Sequence, residues 1–570
     1  MHIGAGAPAL SRAAESVVAF DSAAGRASYG VVGDALTRPR DRSAELTVAG
    51  HRLAAQITLA SAAMVVATAV WVRFTDLFQF GFNSDEAVYS GQAAAIAGFQ
   101  PYAQLFGVFR AHPLLTQFIV ALAYSMSGHV NDWMPRLISA SFGVALALIC
   151  WGIGMVLQGR SLGFAMGMIA ALCPYAVLVS RQMLLDGPMA TFIAATMLLM
   201  ALWLTTRRVA WLYAASATAG LAMLTKEMAV LTLPSVALFA LFVRGLPIRW
   251  WRDVPIVALV FAVVVSPYPL ALLIGGGHHT TNQFLVWQFF RRPNHDSSFY
   301  LLVIPSLGFI TVALASIGVA SIPWRRHPFD GLALALLLSN VIFFEAWPTK
   351  GFEYLLPIVP SVVYLAGCGV LVVGELGGQV ARRWRFQRLN LRRWGTATAL
   401  ALVLASLVPA PAGAVQRVQQ QIATDSDDAS DASLPAHGFL AGTGGLQASR
   451  PAGEWIRVNT LPSARFMTIG PSFANVIQFY GQRKALALSV SPNPLHRNPQ
   501  YEPILNPDAA IRSGSIQYVV YDSYSATRTP FFASRLMAYV KKFGGSPIYQ
   551  YRSGGASNQP PDVVIYEVHP

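Results

Sequence analysis

Long apolar runs separated by short polar segments make up most of the first 415 residues. Nine of these runs approach 20 residues, the length that a helix needs to cross about 30 Å of hydrocarbon. Two shorter runs, 210–225 and 228–243, flank Lys226 and Glu227 and predict a tight helical hairpin. Together they predict about eleven membrane spans. The nine longer runs are 53–72, 137–157, 162–179, 188–204, 254–274, 300–321, 330–346, 354–374 and 396–412.

The pattern changes after the last apolar run. Residues 415–449 are acidic and rich in Ser and Ala, which is typical of a flexible linker. From residue 450 onward, short β-branched and aromatic segments alternate with helical ones, which predicts an α/β domain over 450–570. Helices are predicted over 472–481 and 529–545. The predicted strands are 464–470, 484–490, 516–522, 546–551 and 563–568.

The distribution of arginine predicts the orientation of the spans. If the N-terminal tail is cytoplasmic, the cytoplasmic loops hold 14 arginines, six of them in 375–395, and the longer outer loops hold far fewer cations. This asymmetry satisfies the positive-inside rule. The N-terminus is therefore predicted to be cytoplasmic and the C-terminal domain extracytoplasmic, in a multi-pass protein of the cell membrane.

One apolar segment, 114–128, does not fit this topology as a span. Counting it would invert every later loop and place the arginine clusters outside. We therefore expect 112–128 to be a helix that lies at the outer surface or dips into it. The first outer loop then runs over 74–135 and contains the adjacent acids Asp85 and Glu86.

Composition agrees with a membrane protein and excludes some other classes. Of the 570 residues, 54% are hydrophobic and 12% charged. The net charge of +14 comes largely from loop arginines that act as topology signals, so nucleic-acid binding is not expected. The three cysteines lack metal-ligand spacing and are expected to be packing residues. Residues 1–50 lack the apolar core of a signal peptide and are expected to form a disordered cytoplasmic tail.

Apart from the arginines of the cytoplasmic loops, most ionisable residues near the predicted spans fall in the outer loops, as a site at the membrane surface would require. A carboxylate there can take a proton from a hydroxyl, and Arg or Lys can neutralise a phosphate. Asp85 and Glu86 have a second interpretation. The sequence NSDE, residues 83–86, resembles a helix N-cap followed by acids that favour the helix dipole. Spacing alone leaves both interpretations open.

Several stretches together resemble a known family. FNSDEAVYSGQAAAIAG, FRAHPLLTQFIVALAYSMSG, VSRQMLLDGPMATF, AGLAMLTKEMAVLTLPSVAL and KGFEYLLPIVPSVVYLAG occur in the order found in lipid-carrier-dependent glycosyltransferases. The chain resembles the protein O-mannosyltransferase and aminoarabinose transferase family over about 75–375. The resemblance implies the GT-C fold, and with it an α-helical polytopic membrane protein whose catalytic domain spans 51–414.

The resemblance also implies site residues. Asp85 would be the catalytic base with Glu86 beside it, and Asp186 would join them. The family's basic residue before Pro-Pro-Leu corresponds to His112, but here only one proline follows, so Arg110 is an alternative phosphate ligand. The further substrate-binding residues implied are Arg136, Arg181, Lys350 and Tyr354.

Other interpretations of some of these residues stay open. Arg136 could pair with Asp132 at a span end, and Lys226 with Glu227 could form a turn without chemical consequence. A metal site at His278 and His279 is not expected, because adjacent histidines point apart and no further ligand has suitable spacing. The segment 287–295, WQFFRRPNH, could anchor lipid headgroups, guide donor phosphate, or be an interfacial helix.

The function expected is inverting transfer of a sugar from a polyprenyl-phosphate donor to a hydroxyl acceptor on the outer face. The acceptor would be a protein or a cell-envelope glycan or glycolipid. No cofactor is required by this chemistry, although a divalent metal is possible. The alternative is a lipid or solute transporter, but transporters place ionisable residues at mid-span and show repeated halves, and neither feature is seen here.

Overall fold

The fold was analysed in a computed structural model, which describes residues 40–108, 112–275, 278–290, 296–383, 391–407, 446, 448–552 and 560–570. The chain divides into two compact units, Met1–Met64 and Val65–Pro570, and every contact described below lies within the second. Residues 1–39 of the predicted disordered tail lie outside the described residues, as does nearly all of the predicted linker 415–449. Residues 40–50 belong to the helix Arg40–Phe74, so this part of the predicted tail is helical and not disordered.

Helices fill the apolar part of the chain. Five are long and apolar enough to cross a membrane: Arg52–Phe74, Trp133–Gln158, Asp186–Thr206, Pro328–Ala346 and Leu356–Leu376. Three bent pairs also pass this test as single spans, which raises the number to eight: Arg160–Leu172 with Pro174–Ser180, Trp250–Val265 with Pro267–Ile274, and Phe299–Leu307 with Phe309–Ala320. Shorter apolar helices cover Leu115–Ser127, Val209–Thr225, Glu227–Phe242 and Gly395–Leu407.

Each predicted span coincides with one of these helices or bent pairs. Three of the predicted spans coincide with the shorter helices, which do not pass this length test, so the total of eleven membrane spans remains a prediction. The segment expected at the outer surface is the short helix Leu115–Ser127. The remaining helices before residue 408 are Ser84–Ile96, Gln100–Leu105, His278–Phe290 and Ile322–Arg325.

The bends have local causes. Pro174 and Pro267 each begin the second helix of a pair, because proline lacks the amide hydrogen that a continuous helix would use. The sharpest bend, 97°, falls at Gly308, whose φ of +90° is accessible to glycine and strained for other residues. Arg73 stabilises the first bend: its guanidinium donates to the carbonyl oxygens of Ala170 and Ala171, at 3.3 and 2.7 Å.

Two helices approach each other closely through glycine. Helices Phe309–Ala320 and Val359–Arg383 pack together, and a methyl group added at Gly318 would overlap the carbonyl of Leu365. Added at Gly369, it would overlap the carbonyl of Leu314. Small residues at such crossings let backbones meet, which stabilises helix association in membranes.

The C-terminal residues form an α/β fold with one five-stranded sheet. The strands are β1 (Arg465–Thr468), β2 (Lys484–Ala487), β3 (Tyr518–Asp522), β4 (Ser546–Tyr551) and β5 (Val563–Glu567), in the order β2-β1-β3-β5-β4. The first three strands are parallel and β5 is antiparallel to its neighbours. All five predicted segments contain strands. The helices are Ser449–Asn459, Pro471–Val476, Pro507–Arg512, Ser523–Arg528 and Pro530–Lys542.

The glycine crossing generates a prediction about stability. Gly369→Ala forces a methyl group into the backbone of the facing helix and should destabilise the protein by about 1–3 kcal/mol, the cost of overpacking. Gly152→Ala is the matched control, since its methyl group would meet Leu198 at an ordinary 3.5 Å. Denaturant unfolding in detergent, followed by circular dichroism, measures both. Equal stabilities of the two variants would contradict the close crossing.

Candidate active site

The first turn of the helix Ser84–Ile96, hereafter the Asp85 helix, separates the two adjacent acids. Asn83 caps the helix: its side-chain oxygen accepts from the amide of Glu86 at 3.0 Å. The Glu86 carboxylate in turn accepts from the amide of Asn83 at 3.1 Å, which completes a capping box. The N-cap interpretation of NSDE is therefore confirmed. Glu86 faces inward and Asp85 is exposed.

Glu86 is fully buried against Arg136 from the helix Trp133–Gln158. The two guanidinium contacts to its carboxylate measure 2.7 and 2.6 Å. Glu86 also accepts from the amide of Met183 at 3.0 Å, and Arg136 donates to the carbonyls of Phe80 and Gly81. Both carboxylate oxygens are occupied. Arg136 thus pairs with Glu86, which rules out the alternative pairing with Asp132.

Asp85 has a different environment. It is exposed, and its carboxylate has neither a hydrogen bond nor an ion pair among the described residues. The surrounding protein removes part of its water and raises the pKa of Asp85 above its ordinary value. Lys226 and His112 lower this pKa, and Asp186 and Glu86 raise it. These charges therefore lie near Asp85.

Asp186 and Lys226 form a second buried ion pair. The Lys226 ammonium contacts the two Asp186 oxygens at 2.9 and 2.8 Å, and both side chains are nearly inaccessible to solvent. The same ammonium lies over the ring of Tyr354, 4.8 Å from its centroid. Lys226 and Glu227 therefore do not form an isolated turn. This pair brings the predicted residues Asp186 and Tyr354 together.

His112 and Glu227 form a third pair, with 2.7 Å between Nδ1 and Oε2. The His112 ring also packs edge-on against Tyr89 of the Asp85 helix and Phe284 of the helix His278–Phe290. Four separate segments therefore meet at His112. The sequence identified His112 as a candidate but gave no sign of its partner.

Glu353 adds another carboxyl group to this surface. Burial raises the pKa of Glu353 to about 7; Lys226 opposes this shift, and Asp186 and Asp85 contribute to it. Its carboxylate has no side-chain partner among the residues described. The predictions of site residues omitted Glu353. Its position three residues after Lys350 was the only available signal.

Of the remaining predicted cations, Lys350 and Arg181 have other partners, and Arg110 lies outside the described residues. Lys350 is buried, contacts Glu345 at 3.0 Å and lies over the ring of Tyr300. Arg181 donates to backbone carbonyls from Val72 to Asp76, at the end of the first span. Arg110 lies outside the described residues, as do Arg291 and Arg292.

The described part of the chain contains no group of three His, Cys, Asp or Glu side chains that could bind a metal ion. The side chains of His278 and His279 lie outside the described residues. Among the described residues, the arrangement offers instead two carboxylates without side-chain partners, Asp85 and Glu353, beside two buried acid–base pairs. Such a surface can accept a proton and stabilise charge that develops close to it.

Comparison with known structures shows the fold. The crystal structure of ArnT from Cupriavidus metallidurans in the apo state is 15% identical, with a TM-score of 0.63, and the match covers 88% of this chain and 97% of ArnT. The structure of ArnT bound to undecaprenyl phosphate matches with a TM-score of 0.61, the same 15% identity and the same coverages of 88% and 97%. The chain has the GT-C fold.

A more distant match shares this fold. The archaeal oligosaccharyltransferase AglB from Archaeoglobus fulgidus, in complex with an inhibitory peptide and a dolichol-phosphate, is 13% identical with a TM-score of 0.54. The match covers 88% of this chain and 73% of AglB. Residues 111–270 match the family profile described as dolichyl-phosphate-mannose-protein mannosyltransferase. Comparison with curated protein sequences gave no match.

The resemblance drawn from the motifs is therefore confirmed: residues 111–270 match the mannosyltransferase profile, and the matching solved structures share the GT-C fold. Three side chains that link distant parts of this fold were not predicted from the sequence: the cations Arg73 and Arg450 and the hydrogen-bond donor Tyr480. Arg450 contacts Asp132 at 2.6 Å, and the Tyr480 hydroxyl donates to the same carboxylate at 2.7 Å. The partner Asp132 is 318 residues from Arg450 and 348 from Tyr480, and Arg73 contacts Ala170 and Ala171, which are 97 and 98 residues away, so no local pattern could reveal these contacts.

The Glu86–Arg136 pair gives a prediction about stability. Arg136→Met leaves a buried, unpaired carboxylate and should destabilise the protein by about 3–5 kcal/mol. Glu86→Gln in the same chain should restore part of this loss, because the remaining polar group is neutral. Denaturant unfolding in detergent measures both variants.

The matched control is Arg512→Met, which removes an exposed arginine and should change stability by less than about 0.5 kcal/mol. If Arg136→Met were no less stable than Arg512→Met, the ion pair could not be the contact that fixes the start of the Asp85 helix.

Proposed function

We propose that the protein transfers a sugar from a polyprenyl-phosphate donor to a hydroxyl group of a protein or cell-envelope acceptor, on the outer face of the membrane. The observation that carries this proposal is the contrast between Asp85 and Glu86. Asp85 is exposed and has no partner among the described residues, whereas Glu86 is buried and neutralised by Arg136. A general base needs a free carboxylate in a fixed position, and this arrangement supplies it.

Relatives support the choice of donor. ArnT has been solved with undecaprenyl phosphate and AglB with a dolichol-phosphate. By analogy, a polyprenyl phosphate is the carrier proposed for this chain. Its apolar tail would lie among the spans, and its phosphate would face the cations of the outer surface.

Lys350 is the proposed phosphate ligand among the described cations. Glu345, which forms an ion pair with Lys350, has a side chain that is 37% exposed, whereas the carboxylates paired with Arg136 and Lys226 are almost completely buried. A donor phosphate can replace an exposed carboxylate at smaller cost than a buried one. Arg110 remains a second candidate ligand from the resemblance.

The proposed reaction is a single displacement. The acceptor oxygen attacks the anomeric carbon while its proton passes to Asp85. The bond from that carbon to the phosphate oxygen breaks, and the phosphate leaves with the bonding electrons. Attack opposite the leaving group inverts the anomeric centre. A neutralised phosphate is a good leaving group, so electrostatic stabilisation can replace a general acid.

The other predicted site residues receive supporting roles in this proposal. Glu86 and Arg136 hold the turn that carries Asp85. Asp186 holds Lys226 beside Tyr354. This contact keeps a cation near the reacting groups, while the Asp186–Lys226 pair as a whole stays neutral. Arg181 fixes the end of the first span through backbone carbonyls. The absence of a cofactor requirement remains a prediction, which metal chelation during the transfer assay would test.

Charge distribution supports an outer location. Arginine-rich loops are predicted inside, and the Asp85 loop is predicted at the opposite ends of the spans. The transporter alternative is not favoured, because the structural matches are to transferases of the GT-C fold. The sugar and the acceptor are left open.

The first functional test uses purified protein in nanodiscs with radiolabelled polyprenyl-phosphate sugars and an envelope extract. Asp85→Asn should lower transfer from the accepted donor by about 10²–10⁴-fold, the usual contribution of a general base. Asp76→Asn, an exposed acid in the same loop, is the control and should retain transfer. Equal transfer by the two variants would remove Asp85 from the mechanism. A folded wild type that binds and transfers none of the donors would contradict the proposed function.

The pKa shifts give a prediction about pH. Asp85 must be ionised to act as a base, and its pKa is raised, so kcat/KM should fall as pH is lowered through a value above the ordinary one of about 4. Glu353 has a pKa of about 7, and its ionisation adds negative charge near the leaving phosphate. Activity should therefore decline above pH 7 in the wild type.

The control for this profile is Glu353→Gln, which cannot ionise. The decline above pH 7 should disappear in this variant, while the acidic limb should persist. A persistent decline would show that another group titrates there.

A further inference from the structure

The C-terminal α/β fold contacts the chain directly before the Asp85 helix. We call residues 78–83 the lead-in segment. The Tyr480 hydroxyl accepts from the amide of Phe82 at 2.9 Å and donates to Asp132 at 2.7 Å. The ring of Phe82 also packs against Phe479 and Tyr480, with centroids 4.9 and 5.8 Å apart. One tyrosine therefore links the lead-in segment to the start of the second span.

Arg450 makes a second link to the same segment. It contacts Asp132 at 2.6 Å and donates to the carbonyls of Phe78 and Phe80 at 3.2 and 3.4 Å. Gly81 lies so close to this region that a methyl group there would overlap Ser449. The lead-in segment is thus enclosed between Arg136 on one side and the C-terminal residues on the other.

A third link reaches the residue next to the proposed base. The side-chain amide of Asn475 donates to the Ser84 hydroxyl at 3.0 Å and to the Tyr501 hydroxyl at 3.1 Å. Asn475 is buried, in the short helix that follows β1. Ser84 begins the Asp85 helix, so this contact fixes its first turn from the C-terminal side.

We infer that Tyr480 and Asn475 are positioning residues for Asp85, and that the C-terminal α/β fold is part of the catalytic assembly. This inference rests on the proposed function. The Asp85 carboxylate stands at the first turn of a helix whose start is held by side chains of both parts of the chain. A displacement of about 1 Å at a reacting group can lower a rate by about 10²-fold.

Tyr480 is suited to this role at all working pH values. Burial, and then the nearby charge of Asp132, raises the pKa of Tyr480 well above its ordinary value. The hydroxyl therefore remains protonated and keeps donating to Asp132. The carboxylate of Asp132 is itself neutralised by Arg450, so the contact combines a charge-assisted hydrogen bond with an ion pair.

The experiment compares Tyr480→Phe with Tyr539→Phe in the full chain. Both substitutions remove one hydroxyl from a buried tyrosine of the C-terminal fold, but the Tyr539 hydroxyl contacts no residue of the Asp85 loop. Tyr480→Phe should lower kcat about 10–100-fold with an unchanged donor KM, and Tyr539→Phe should behave as wild type. Asn475→Ala should follow Tyr480→Phe. Asn475→Asp should recover part of kcat, because its second carboxylate oxygen can accept from the Ser84 hydroxyl in place of the amide that donates to it.

Hydrogen–deuterium exchange gives a readout that does not depend on transfer. Tyr480→Phe should speed exchange in peptides covering 78–90, because the amide of Phe82 loses its acceptor, and Tyr539→Phe should not. If exchange and kcat of the two variants agree, the inference is overturned. A raised acceptor KM with unchanged kcat would also overturn it, because that pattern indicates acceptor binding.

These outcomes separate the inference from the proposed function. If the wild type transfers nothing, the proposed function fails, and exchange over 78–90 alone decides whether Tyr480 fixes the Asp85 helix. If the wild type transfers sugar and Tyr480→Phe does so equally well, the proposed function stands and the positioning role fails.

Discussion

The buried ion pair between Glu86 and Arg136 is the constraint on which the site depends. A carboxylate without water must be paired and hydrogen-bonded, and removal of one partner leaves an uncompensated charge that costs several kcal/mol. Glu86 meets this requirement with Arg136, the amide of Met183 and the amide of Asn83. Its burial fixes the rotation of the Asp85 helix. Because adjacent helical residues point about 100° apart, Asp85 is then directed outward.

The same principle organises the rest of the surface. Asp186 pairs with Lys226 and His112 with Glu227, so charges contributed by distant segments neutralise one another near Asp85. Asp85 and Glu353 are the two acids near them without side-chain partners among the described residues, and both have raised pKa values. A neutral surface with free carboxylates can receive a proton and an anionic lipid in one place. This electrostatic pattern links the fold to the proposed chemistry.

Much of the fold could be predicted from the sequence because membrane spans and strands are local patterns. Apolar runs near 20 residues predicted the membrane helices, and short segments rich in β-branched and aromatic residues predicted β1 to β5. The bends at Pro174 and Gly308 were not predicted, although proline and glycine signal such breaks. The site was predictable in part. Asp85 was proposed from the family motif, but the partner of Arg136 was not predicted, because Asp132 is closer in sequence than Glu86. Pairings of this kind depend on which helices pack together, and no local pattern records that.

Asp85 as the required carboxylate is the central claim, and chemical restoration tests it most directly. The three native cysteines are buried, so Asp85→Cys can be alkylated selectively at an exposed position. The unmodified variant should be inactive. Iodoacetate, which restores a carboxylate at this position, should recover measurable sugar transfer in nanodiscs, and iodoacetamide, which adds a neutral amide of similar size, should not. Transfer by the unmodified variant at the wild-type rate, or equal recovery with both reagents, would contradict the account.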